Sequence, residues 1–188
     1  SETAIRGKQD GEVLKTILEY AEEHGLSTGV ITNDRPTGAT AAACYAHSND
    51  RKNAGEIFAQ VFQPRFGDGV DVLIGSGGRA TLELARQLGL DPEARLREKG
   101  YQLVDDLARI PPDARRVVAL LESADFDLGL ATERAIDILS KDPKGFFLMV
   151  ESDLHTNQLR RGLDRTLALD RIIQQTAARM KRDTLVVF

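Results

Sequence analysis

The sequence predicts an α/β fold, a mainly parallel sheet with helices on both faces and, by its ends, a partial domain. Three observations carry this. Short runs rich in β-branched and aromatic residues recur along the chain, at Ser27–Thr32, 70–74, Val117–Leu121 and 146–150. Runs with helical spacing separate them. Strands separated by helices join through right-handed crossovers, which makes neighbours parallel.

Taken in order, Leu14, Ile17, Leu18 and Ala21 have the i, i+3, i+4, i+7 spacing of one helix face, with Gly25 placed as a C-terminal cap. The strand Ser27–Thr32 follows. Thr37 or Thr40 is placed to cap a small-residue helix, and Ala39, Ala41, Ala42 and Ala43 let it pack close to a sheet. Cys44 among them reads as a small buried side chain. Ala54, Ile57, Phe58, Val61 and Phe62 mark another helix, which Pro64 ends. Residues 70–74 form a buried-type strand, residues 81–88 a helix, and Gly89 with Pro92 closes it. Residues 101–104 are a short strand before a loop carrying Pro111 and Pro112. After the strand Val117–Leu121 comes a helix over 128–140, then a turn at 142–145. Residues 146–150 are the strongest strand and, being apolar on both faces, are expected at the centre of the sheet. Leu169, Ile172, Ile173, Thr176 and Met180 give a long amphipathic helix, and residues 184–188 a last strand.

The 188 residues suit one domain, taken here as residues 1–188. A charged fraction of 29% and an apolar fraction of 41% argue against disorder and coiled coil. No apolar run reaches the roughly 18 residues of a membrane span. The first dozen residues are polar, show no signal-peptide core and carry no element. The net charge of −4, with no basic stripe, speaks against nucleic acid as a partner. A single cysteine excludes an internal disulfide and a Cys-rich zinc site. The polar start and the strand at the very end read as an excised piece of a longer protein.

In open parallel sheets, ligands bind beyond the carboxyl ends of the strands. After residues 146–150 come Glu151, Asp153 and His155, which in extended backbone point to one side. Two carboxylates and an imidazole suit a divalent metal, and a polar strand end that caps the next helix is the plainer alternative. Arg51 has the planar fork that grips phosphate, though locally it is one arginine among many. His24 and His47 read as structural or solvent-facing. The glycines at 75–78 lack the lysine and spacing of a nucleotide loop and read as a tight strand-to-helix turn. No Ser-His-Asp set can be assembled.

Together these segments resemble the alkaline phosphatase family. The helix LKTILEYAEEHG at 14–25, TGVIT at 28–32 leading to GATAAACYAH at 38–47, VDVLIGSGGR at 70–79, KGFFLMVE at 144–151, and DRTLALD at 164–170 with DTLVV at 183–187 match its landmarks in order. The resemblance implies that Thr40 and Glu151 belong to a magnesium site, that Arg51 grips the substrate phosphate, and that Asp153 and His155 belong to a zinc site. Gly38 stands where the family commonly has His or Asp, Ala41 replaces a proline, and the loop carrying Asp153 and His155 is shortened.

The resemblance also implies that the phosphorylated serine and first metal-binding aspartate lie upstream of Ser1, and that an Asp-His pair and a last zinc histidine lie beyond Phe188. No catalytic nucleophile is expected within the 188 residues. The expected function is part of a phosphate monoester hydrolase using zinc, magnesium and a phosphoserine intermediate, inactive as an isolated fragment. It would act on small phosphate esters in the periplasm or outside the cell, with a homodimer possible. Two alternatives stay open: a phosphodiesterase or sulfatase relative, and a non-catalytic α/β metal-binding module.

Overall fold

The computed structural model describes residues 13–180 and 183–188, so the reading of the first twelve residues falls outside it. One sheet holds β1 (Ser27–Thr32), β2 (Val72–Ser76), β3 (Gln102–Val104), β4 (Val117–Leu121) and β5 (Phe146–Glu151). The order is β3-β4-β2-β1-β5, and every neighbouring pair is parallel. The connections carry α1 (Ile17–Glu23), α2 (Ala39–Tyr45), α3 (Ala54–Ala59), α4 (Gly78–Arg86), α5 (Pro92–Glu98) and α6 (Leu128–Leu139), and α7 (Leu159–Met180) follows β5. This is the expected α/β class.

Alternation along the strands builds two cores. Val30, Leu73, Val118, Leu120, Phe147 and Met149 face one side, where they meet Leu18, Ala41, Ala42, Phe58 and Ala85 from α1 to α4. Ile31, Val72, Ile74, Val117, Ala119 and Leu121 face the other, against Ala131, Ala135, Ile138 and Leu139 of α6. The alanines of α2 do what their size suggested, because Ala41 and Ala42 are fully buried. Cys44 is only partly buried, since the face of α2 turned to the core is Ala41, Ala42 and Tyr45.

Several expectations need correction. β5 lies at an edge of the sheet, not its centre, and all six of its residues are half-buried. An apolar run reports burial of two faces and says nothing of whether both edges find partners. Residues 184–188 join no ladder among the described residues, and Leu185, Val187 and Phe188 stand exposed. Pro92 opens α5 rather than closing α4: at the first helical position its missing N–H leaves nothing unpaired, and Asp91 accepts from Ala94 N at 2.9 Å. Neither Thr37 nor Thr40 caps α2. The cap position is Gly38, with no side-chain bond, while Thr37 is buried and Thr40 lies inside the first turn.

The glycine segment is the expected turn. Gly77 holds φ 100 at the entry to α4, a left-handed conformation that glycine adopts without a steric penalty. At α6 the carboxylate of Asp127 accepts from Leu130 N at 3.0 Å. Asp127→Ala is expected to lower stability by about 1 kcal/mol, read by urea denaturation, because an N-terminal amide loses its acceptor.

Candidate functional site

The parallel register sets Thr32, the last residue of β1, opposite Glu151, the last of β5. The Thr32 hydroxyl donates to Glu151 Oε2 at 2.7 Å and accepts from Asp34 N at 3.0 Å. One residue on, the Asn33 side chain takes the place of a strand partner. Its Oδ1 accepts from Asp153 N and its Nδ2 donates to Asp153 O at 3.3 Å. Arg165 of α7 donates to the same carbonyl at 2.7 Å and to Asp125 Oδ1 at 3.0 Å, and Arg161 also holds Asp125. Those two guanidinium groups keep the Asp125 carboxyl below the usual range.

Asp153 Oδ1 accepts from His155 N at 3.0 Å and meets the His155 ring at Nδ1. Burial pushes the Asp153 carboxyl up, but the His155 backbone and ring, helped by Arg165, hold it lower than an ordinary aspartate. His155 projects into solvent, its side chain 99% exposed.

The structure therefore gathers Glu151, Asp153 and His155 at the carboxyl end of β5, but not as one ligand set. The strand ends at Glu151, so the alternation that would turn all three side chains to one side stops there. Glu151 is tied to Thr32, while Asp153 and His155 pair with each other. Thr40 is exposed in the first turn of α2, the helix entered from the carboxyl end of β1, and Arg51 is exposed in the turn between α2 and α3. Among the described residues, no hydrogen bond or ion pair joins the Thr40 hydroxyl or Arg51 to Glu151, and no three His, Cys, Asp or Glu side chains stand close enough to hold a metal. Thr32, Asn33, Asp34 and Arg165 went unread in the sequence. Thr32 ends β1, and Asn33 and Asp34 follow it, a position that marks them as rim residues, but Thr32 and Asn33 find partners more than a hundred residues away, at Glu151 and Asp153.

A cavity of about 420 Å³ adjoins this rim, bounded by Asn33, Asp125, Ser152, Arg165 and Ile172. A larger one of about 620 Å³, at Phe62, Arg95, Lys99 and Arg116, lies by the amino end of β4, away from the strand ends where α/β sheets bind ligands.

These features define an open parallel α/β protein with hydroxyl, amide and carboxylate side chains arrayed beyond the carboxyl ends of two adjacent strands. The chain belongs to the alkaline phosphatase family, whose profile matches residues 2–116 and 113–188. It is 33% identical to alkaline phosphatase 3 of Bacillus subtilis over 164 residues, covering 79% of this chain and 34% of that protein. It is 27% identical to the human tissue-nonspecific isozyme, covering 94% of this chain and 44% of that one. The alkaline phosphatase of the Antarctic bacterium TAB5 superposes with a TM-score of 0.78 at 24% identity, over 96% of this chain and 56% of that one. A variant of that enzyme has magnesium bound in the site designated M3. The chain thus spans about a third to a half of the curated relatives' length. Among the described residues no helix is long and apolar enough to cross a membrane.

The donor chemistry tests which ion the residues fit. Glu151 and Thr40 offer hard oxygen atoms only, which suits magnesium. Asp153 and His155 offer two donors already engaged with one another, and a zinc site needs three or more protein ligands. Oxygen donors of this kind suit magnesium by type, whereas the described residues do not by themselves build a zinc site.

Proposed function

We propose that residues 1–188 form the central part of one catalytic domain, in a metal-dependent hydrolase of phosphate monoesters that works through a phosphoserine intermediate. The observation that supports this best is Glu151, delivered at the end of β5 and held by the buried Thr32 hydroxyl. In this reading Glu151 and Thr40 hold magnesium, which when bound supplies positive charge beside the reacting phosphate. Thr32 orients the Glu151 carboxylate by donating to one oxygen, and the other is left for the ion. Arg51 binds two phosphoryl oxygens through its fork as charge shifts in the transition state. Asn33 and Arg165 fix the Asp153 backbone, and the Asp153 carboxylate orients the His155 ring. Asp153 and His155 join a zinc site only with ligands from outside this chain. The nucleophilic serine likewise lies outside it. Export from the cytoplasm and homodimer formation belong to the same proposal, as does the lack of turnover by the 188 residues alone.

The test is an assay with p-nitrophenyl phosphate, bis(p-nitrophenyl) phosphate and p-nitrophenyl sulfate, in zinc and magnesium. The 188-residue chain is expected to show no turnover above background. The longer protein that contains it is expected to prefer the monoester and to lose on the order of 10²–10³-fold in kcat with Arg51→Ala, the size seen when one transition-state donor is removed. Preference for the diester or the sulfate ester would move the protein to another branch of such hydrolases. Turnover by the 188 residues that Arg51→Ala abolishes would show that the flanking segments are dispensable.

A further inference from the structure

We propose that the crevice beyond the carboxyl ends of β2 and β4 binds a tetrahedral oxyanion of the size and charge of phosphate, with the Glu122 carboxylate as its resident occupant when no ligand is there.

The topology places a crevice at this point. α4 carries the chain from β2 onto one face of the sheet, where Leu82 and Ala85 join the core of Leu73 and Val118. α6 carries it from β4 onto the other face, where Ala131 and Ala135 join the core of Val117 and Ala119. β2 and β4 are neighbours, with Ser76 opposite Leu121 at their ends, so the two outgoing chains part there. Open α/β sheets bind ligands at such divergences. This one is separate from the rim at Glu151, which lies between β1 and β5.

The residues at the divergence form an anion cradle. Gly77 and Gly78 have φ 100 and 46, and together they turn the chain into the nine-residue helix α4. No side chain of the cap residue accepts from the first N–H groups of α4. What lies over them is Glu122, from the end of β4. A Cβ at position 78 would collide with its carboxylate, and Oε1 accepts from Arg79 N at a long 3.4 Å. Glu122 is itself exposed, so it is a loosely held occupant of a space shaped for a carboxylate or a phosphate.

Thr81, in the same turn of α4, points independently to a ligand. It is 1% exposed, and its hydroxyl has no partner among the described residues. A Cβ at position 77 would sit 2.8 Å from Thr81 Oγ1 and 3.2 Å from Arg35 Cγ, so the hydroxyl is directed back at the glycine turn, beneath the Arg35 stem. A buried hydroxyl without a partner is unfavourable, and a ligand oxygen that accepts from it removes the penalty. The Arg35 stem keeps a guanidinium fork beside the turn, suited to two oxygens of one anion. The turn lacks the lysine of a nucleotide loop, so the ligand is a single oxyanion.

The test is titration of the 188-residue chain with inorganic phosphate at constant ionic strength, followed by amide NMR shifts, with thermal unfolding by circular dichroism on each variant. Saturable shifts are expected at residues 77–81 and 122, with sulfate acting alike and chloride not. Glu122→Gln is expected to tighten binding about fivefold, the size of one charge's interaction with a helix terminus. Thr81→Val is expected to weaken it about tenfold, the loss of one hydrogen bond to a charged group. Its melting temperature is expected to hold or rise, because a methyl replaces an unpartnered hydroxyl. A lower melting temperature in Thr81→Val would show that the hydroxyl serves the fold instead, and would overturn its role here. Wild-type affinity in both variants would overturn the site, as would shifts confined to residues 47–52, equal shifts with chloride, or none that saturate.

Discussion

Glu19→Ala is expected to cost about 3–5 kcal/mol of folding stability, the range for removing one partner of a buried ionisable pair. Glu19 and His47 are each 2% exposed, and Glu19 Oε1 lies 2.6 Å from His47 Nε2. The other carboxylate oxygen accepts from Thr16 N at 2.7 Å, while Glu19 N donates to the Thr16 hydroxyl at 3.1 Å, which closes a capping box on α1. That hydroxyl in turn donates to Cys44 O at 2.6 Å. Gln60 brackets the His47 backbone from the far side, accepting from its N–H at 2.9 Å and donating to its carbonyl at 3.0 Å. His47 Nδ1 already lacks a partner among the described residues. Without Glu19 both ring nitrogens would be buried and unpaired, and Thr16 N would lose its acceptor, which leaves only the Thr16 half of the capping box. Glu19→Gln keeps the hydrogen-bonding shape and is expected to lose less. A chemical denaturation series checks both, and a loss under about 1 kcal/mol in Glu19→Ala would show that the site relaxes to admit water.

The consequence reaches the candidate site. His47 stands just after α2, four residues before Arg51, so the pair anchors the segment that carries the proposed phosphate-binding arginine to α1. From the sequence His47 is structural or solvent-facing; the structure makes it structural and buried, with a partner that no local pattern indicates. Glu19 lies 28 positions away on a helix whose apolar spacing alone was legible.

The same division runs through the whole fold. β1 and β4 have the bounds their composition indicated, because a β-branched run between turn signals is a local feature. The placement of β5 was not legible, since strand order depends on which edges meet. Glu151 could be singled out because it directly follows an unmistakable strand. Its tie to Thr32 could not, because it depends on the register between β1 and β5. The sequence pattern places Asp153 and His155 on the alternation of β5. They leave it because Asn33 and Arg165 capture the Asp153 backbone two residues past the last paired residue.

Folding stability is expected to fall as pH rises from about 4.5 to 7, through carboxylates at the end of the sheet opposite the candidate site. Glu22 accepts from the Thr28 hydroxyl at 3.1 Å and from Gly69 N at 3.2 Å, and burial pushes its carboxyl up to about 7. Asp71 accepts from Thr28 N at 2.9 Å, and burial raises it to about 6 even though Arg116 Nε lies 3.5 Å away. In the unfolded chain these groups titrate near 4.5 and 3.8. Between those values and the raised ones the folded chain keeps protons that the unfolded chain has released. The stabilisation is whole below the unfolded values and gone above about pH 7. For Glu22 the shift corresponds to about 3 kcal/mol. The carboxylates held low, Asp125 and Asp142 among them, act with the opposite sign but only below an ordinary aspartate's range, so the two effects occupy separate windows. Glu22→Gln is expected to flatten the profile between pH 5 and 7.5 and to leave the variant more stable than the wild type at pH 8. Urea denaturation at each pH is the measurement, and a wild-type stability that is level or rising over that interval would refute the assignment. Because Glu22 and Asp71 lie by the amino ends of the strands and Glu151 at a carboxyl end, Glu22→Gln is expected to leave the chemistry at the rim unchanged. That separates the pH dependence of the fold from the chemistry proposed at the rim.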